Sequence, residues 1–211
     1  MSVVINGTTG ITSPSPFVLE GSTSGTITVA APAVAGTNTQ TLVAATGTLT
    51  PVISGTVQSA PFAGGNVLAD FTGIPSWVKR ITVMINGLST NGTSDPLIQL
   101  GDSGGIENTG YVAGAAVMTG SSAGFSSTAG FPISGSWSAA VVFSGIITLA
   151  LHDAATNTWT ASVVGGRTDA SGAFSGGGYK ALSATLDRVR ITTVGGANTF
   201  DTGTTINILY E

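Results

Sequence analysis

Along the first sixty residues the apolar positions come in short alternating runs. Thr26-Ile27-Thr28-Val29 and Thr39-Gln40-Thr41-Leu42-Val43 alternate with period two, the pattern of a strand with one covered face. Each run is bounded by Gly, Pro or Asn, and no stripe of helical period passes through the segment. Runs this thin cannot close a core within one chain. Ile, Val and Leu nevertheless recur too often for a solvated Gly/Ser linker. The pattern therefore predicts strands completed by neighbouring copies of the chain.

From about Pro61 onward the runs lengthen. Trp77 to Asn86 reads as a strand with Ile81, Val83 and Ile85 on one face, and Gly87 and Asn91-Gly92-Thr93 read as turns. Pro96 to Leu100 is a second strand stopped by Gly101, and Gly110-Tyr111-Val112-Ala113 opens a third. Gly120 to Ser136, rich in Gly and Ser, is expected to be a long surface loop anchored by Phe125 and Phe131. Ala139 to Leu151 is one long strand or two, and Thr158 to Val163 alternates after a turn at Asp153 to Asn157. Leu182 to Val194 sets Leu186, Arg188 and Arg190 against Val189, Ile191 and Thr193, and Thr204 to Tyr210 places Ile206, Ile208 and Tyr210 together. The fold expected is all-β: an extended β-stranded stalk or arm, then an antiparallel β-sandwich of about eight strands with a jelly roll as leading topology. The boundaries expected are an anchoring segment at 1–20, a β-rich stalk or linker at 21–60 and the sandwich at 61–211.

Charge sharpens this division. Only 16 of 211 residues are charged, and Glu20 is the single charge before Asp70. An uncharged arm requires cover from neighbours, whereas 61–211 carries enough charge to face water alone. Six basic residues and a net charge of −4 leave no basic groove for nucleic acid. The most apolar stretch, Ala139 to Leu151, is interrupted by Ser144 and Gly145 and falls short of the ~20 residues of a membrane span. The opening MSVVINGTTG has neither the basic nor the apolar region of a secretory signal.

The chain has no cysteine and one histidine, which removes thiol chemistry, disulfides and zinc fingers. The string Gly101-Asp102-Ser103-Gly104-Gly105 matches that around the nucleophile of trypsin-like serine proteases. A triad needs a histidine base within hydrogen-bond reach of the serine, oriented by a buried carboxylate. In that family the histidine lies upstream beside a cysteine. Here His152 lies downstream, so the string reads as a turn after a strand. His152 and Asp153 are adjacent on a strand and point to opposite faces, which suits a strand end better than a catalytic pair. Asp95, Asp102, Glu107, Asp153, Asp169, Asp187 and Asp201 are dispersed, without the spacing of a metal loop or a marked glycosidase pair. Arg188 and Arg190 share a face, which reads as a solvated strand face or as ion pairs with Asp70 and Asp187. Trp77, Trp137 and Trp159 suit a core or an interface better than a sugar platform. Asn6-Gly7-Thr8 and Asn91-Gly92-Thr93 lack the secretory context of glycosylation sites. No catalytic, cofactor-binding or metal-binding residue is assigned.

The opening SVVINGTTGITSP and the block SGTITVAAPAVAGTNTQTLVAATGTL resemble the N-terminal segments of tailed-bacteriophage fibre and virion-surface proteins. WVKRITVMI at Trp77 to Ile85, QLGDSGGIENTGY at Gln99 to Tyr111 and LDRVRITTVGGANTFDTGTTINILYE at Leu186 to Glu211 resemble blocks of the same proteins. The resemblance implies a homotrimer located in the virion. Its N-terminal arm would be fixed to a major capsid or other virion protein, with the β-rich domain outward. It implies a non-enzymatic structural protein without a cofactor. Capsid decoration or a head fibre is favoured, because 211 residues leave little room for both a long shaft and a receptor head. The alternative is a tail-fibre, receptor-binding role, with a host-surface glycan as partner. Nucleic acid and membrane are not expected partners.

Overall fold

The computed structural model describes residues 17–20, 26–29, 58–61, 65–119 and 122–211. The chain divides into two compact units, Met1–Leu49 and Thr50–Glu211. In the first, β1 (Phe17–Glu20) pairs antiparallel with β2 (Thr26–Val29), so the strand expected at Thr26 forms and finds a partner within its own chain. The alternating run at Thr39 to Val43 lies outside the described residues.

The second unit is all-β. In chain order its strands are β3 (Gln58–Pro61), β4 (Leu68–Thr72), β5 (Arg80–Leu88), β6 (Pro96–Asp102), β7 (Gly105–Ile106) and β8 (Val112–Met118). There follow β9 (Ser122–Ser127), β10 (Phe131–Pro132), β11 (Phe143–Asp153), β12 (Thr158–Arg167), β13 (Ala173–Ala181), β14 (Arg188–Thr193) and β15 (Thr205–Tyr210). Among the described residues the only helical turn is a 3-10 turn at Val194–Gly196.

These strands form two antiparallel sheets. The large one runs β3-β15-β5-β11-β12-β13-β8-β9; the small one runs β10-β6-β14-β4, with β7 on β6. The pairing is nested: β3 with β15, β4 with β14, β5 with β11 and β6 with β10. Two further pairings, β15 with β5 and β14 with β6, join the nested pairs into sheets.

The inner faces of the two sheets share a core, as the alternation requires. Ile81, Val83 and Ile85 are buried on β5, Ile147 and Leu149 on β11, and Ile206 and Ile208 on β15; Phe71, Leu100, Val189 and Ile191 answer them from the small sheet. Each buried side chain of this size contributes about 2 kcal/mol of transfer free energy. Trp137 and Trp159 are buried with them, and Trp137 Nε1 donates to Thr90 Oγ1 at 2.8 Å.

Several local expectations change. Gly120 to Ser136 is no long loop: its described part contains β9 and β10, with Phe131 fully buried edge-on against Tyr111 at 5.0 Å. Gly87 lies inside β5 with φ 68, where the register against β11 slips between Phe143 and Gly145; only glycine holds that bulge without strain. Gly101 does not stop β6, which continues to Asp102. Trp77 precedes β5, which starts at Arg80, and Leu182 to Asp187 precedes β14 as irregular chain.

Six strands of this unit, β3, β4, β7, β9, β10 and β13, were not expected. In β13 the sequence Gly176-Gly177-Gly178 resembles loop, yet it lies between β12 and β8 at closer than usual approach. A Cβ on Gly178 would lie 2.4 Å from the Val112 carbonyl oxygen, and one on Gly176 2.7 Å from Ala115 Cβ.

Candidate functional site

The Gly101–Gly105 string is the β6–β7 hairpin, as its turn composition predicts. Asp102 closes it, accepting from the Gly104 amide at 2.7 Å. The second carboxylate oxygen of Asp102 accepts from Ser183 Oγ at 2.6 Å. That bond, with the amide, holds its carboxyl below the usual carboxylate range. Asp102 is buried, whereas Ser103 is exposed at the turn.

His152 is exposed near the end of β11. The turn beyond it is made by Asp153, which accepts from the Ala155 amide and Thr156 Oγ1, both at 2.8 Å, with Asn157 at φ 49. Residues 182–187 bond to both hairpins. The Leu182 amide donates to the Asn157 carbonyl, and Ser183 Oγ and the Asp187 amide donate to Asp102 and to the Gly101 carbonyl. The carboxylate of the protease-like string thus joins its hairpin to the loop carrying Ser183, while Ser103 and His152 are both exposed.

Beside this hairpin lies the densest polar cluster of the sandwich. Lys180 is buried and pairs with Glu107, whose other oxygen accepts from the Ser183 amide at 2.7 Å. The Lys180 ammonium also lies 5.5 Å from the centre of the Tyr111 ring. Tyr111 Oη accepts from the Leu100 amide at 2.7 Å and donates to the Glu107 carbonyl at 2.9 Å. Burial pushes the Glu107 carboxyl up, but the bonds from Lys180 and Ser183 outweigh it and hold the group below its ordinary value. Burial raises the Tyr111 phenol far above its ordinary value. Every polar atom named here has a protein partner, so the cluster ties β6, β13 and the loops after β7 and β13 together.

Of the two readings for Arg188 and Arg190, the ion pairs form. Arg190 clamps Asp70 through two bonds of 2.7 Å, and Arg188 holds the neighbouring Asp187 at 2.6 and 3.1 Å. Arg80 pairs with Glu211, and Arg167 with Asp169, whose carboxyl that guanidinium lowers to about 2. Asp95 is the exception: burial raises its carboxyl, and one of its oxygens is buried without a partner. Asn91 of the second Asn-x-Thr string accepts from the Thr199 amide at 3.0 Å, and Asn6 lies outside the described residues. Trp77 remains 40% exposed, tilted against Tyr210 at 5.9 Å.

A cleft of about 350 Å³ opens over the small sheet, lined by Gln99, Asn108, Arg190 and Thr192, with Val67 and Gly195 among its other residues. Sequence reasoning missed it because Val67, Asn108 and Arg190 are far apart in the chain; β14 pairs with both β4 and β6, which brings their strands together. Among the described residues no group of three or more His, Cys, Asp or Glu could hold a metal ion, and no helix is long and apolar enough to cross a membrane. Comparison of the chain with known protein families, with curated proteins and with solved structures finds no match.

Proposed function

We propose that the chain is a structural subunit of a tailed-bacteriophage virion: a non-enzymatic, homotrimeric short fibre that decorates the capsid or forms a head fibre. The observation that carries the reading is the division of charge, with Glu20 alone in the first 69 residues and fifteen charges in the following 142. A nearly uncharged arm is suited to burial against neighbouring copies or against the edge of a virion protein, by strand addition. A sandwich with its own core is suited to projection and display.

In this reading the sandwich is an elaborated jelly roll. The nested pairing supports it, since a rolled-up hairpin of eight strands pairs first with last, second with seventh and so inward. The hairpins β8–β9 and β12–β13 then extend the large sheet beyond that frame. A second reading, tail-fibre receptor binding to a host-surface glycan, is favoured by the polar cleft over the small sheet, at which Asn108 lies beside Gln99, Arg190 and Thr192.

Electron microscopy of particles carrying an epitope-tagged copy tests both. Many labels on the head, with no block of infection by added purified protein, are expected. Label confined to the tail, with infection blocked, overturns decoration in favour of receptor binding. Absence of the protein from purified particles overturns both.

A further inference from the structure

The outer side of the large sheet differs from the rest of the surface. Eight large apolar side chains are exposed among the described residues, and five of them lie here: Val112, Met118, Ile146, Val164 and Tyr179, each 49% to 61% exposed. Register places them in two direct cross-strand contacts, Ile146 beside Val164 and Tyr179 beside Val112, with Met118 at the far end of β8. The outward positions between them on β11, β12, β13, β8 and β9 are Gly, Ala, Ser or Thr, without a charge. Lys180, the one charged residue within β13 and β8, points inward, while Arg80, Asp153 and Arg167 stand at strand ends.

We propose that this face is where copies of the chain meet, the occupant being the sandwich of a second copy. The proposal rests on the reading that the chain self-assembles and assigns the contact to a place. Size supports it. Five strands, β11 to β9 in sheet order, spaced about 4.8 Å apart and spanned by seven residues of about 3.3 Å each, give about 550 Å². Two such faces remove about 1,100 Å², above the ~1,000 Å² that a specific interface needs.

Neutrality and relief support a copy over an unlike partner. A face without charge offers no electrostatic recognition of an acidic or basic ligand. It does carry bumps and hollows side by side: Val164 and Tyr179 stand next to Gly177 and Gly166, and Val112 next to Gly114. Such relief, built from small neutral side chains, lets the face seat a second copy of the sandwich in a closed ring.

The test measures the mass of the full-length protein by sedimentation equilibrium across concentration. Val164→Lys and Ser162→Arg, both at exposed positions, are expected to raise the dissociation constant about 100-fold by burying an unpaired charge. Val67→Lys, at an exposed apolar residue beside the small sheet, is expected to leave it unchanged. Wild-type multimers indifferent to both large-sheet variants would overturn the face and leave self-assembly standing. A wild-type dimer that the variants dissociate would uphold the face and overturn the trimeric fibre, and a monomer throughout would overturn both.

Thiol labelling gives a readout that does not depend on tolerating a charge. The chain has no cysteine, so Ser162→Cys and Val67→Cys each report a single position. Ser162→Cys is expected to react at least about tenfold more slowly than Val67→Cys in the assembled protein, from burial in the contact. Equal rates would overturn the proposal.

Discussion

The small sheet turns Asp70, Arg188 and Arg190 outward, pairs Arg190 with Asp70 and Arg188 with Asp187, and tucks Thr192 Oγ1 under the Val67 carbonyl. The large sheet turns Ile146, Val164, Val112 and Tyr179 outward and folds its lysine inside. Both sheets bury their inner faces by the same alternation of Ile, Val, Leu and Phe. What separates them is the second set of positions on each strand, where period two leaves the residue type free to answer to solvent or to a neighbour. The low charge of the chain is therefore concentrated twice, in the arm and again on one side of the sandwich.

The largest effect is expected where the large sheet is most tightly drawn. Gly178→Val puts a branched side chain 2.4 Å from the Val112 carbonyl oxygen and 2.6 Å from Ala113. It should cost about 3 kcal/mol, a fall of roughly 6–12 °C in Tm by calorimetry. A Tm unchanged within a degree would mean that β13 does not lie between β12 and β8 as described.

Glu107→Gln tests the inward charge of the same sheet. Removing one partner leaves the Lys180 ammonium buried, for a loss of about 2 kcal/mol, and adding Lys180→Met should restore most of it. Because Glu107 titrates lower folded than unfolded, its stabilisation is present at neutral pH and lost as pH falls through the folded value. The variant should accordingly lose less stability than wild type between neutral pH and strong acid, followed by thermal melts.

On the small sheet the contrast should invert. Arg190→Gln breaks a partly exposed pair and should cost about 0.5–1 kcal/mol at low salt, and less in 1 M salt. A loss as large as that of Glu107→Gln would erase the distinction between the two sheets' charges.

The smallest change has the opposite sign. Burial raises Asp95 above its unfolded value, so its ionised form penalises the fold at neutral pH and the penalty fades as acid protonates it. Asp95→Asn should raise Tm by ~1 °C at pH 7, with the gain vanishing in acid.

The strands visible in the sequence are those whose inward positions are large and apolar. β5 shows Ile81, Val83 and Ile85, and β15 shows Ile206 and Ile208, at the spacing that burial demands. β13 hides because its inward positions are Phe174, Gly176, Gly178 and Lys180; three of these four have no apolar signal, and the strand is specified by close approach. β6 hides its end, since every residue from Pro96 to Asp102 is buried and no alternation marks where it stops. The turn at Asp102 was legible because the Asp-x-Gly contact is local. The Lys180–Glu107–Tyr111 cluster was not, because β13 and the residues after β7 are joined only by the fold. Charge arithmetic along the chain likewise found the bare arm and missed the bare face, whose residues are adjacent across strands and dispersed in sequence.

The nested pairing has a consequence for the order of events during synthesis. β3 is made first of the sandwich strands and β15 last, yet β15 lies between β3 and β5 in the finished sheet. Until β15 emerges, β3 has no sheet to join and β5 presents an open edge. Such closure between sequence-distant strands is intrinsically slow. A crowded polysome would therefore hold many half-built sandwiches with unpaired edges, each a competitor for its neighbour's strands.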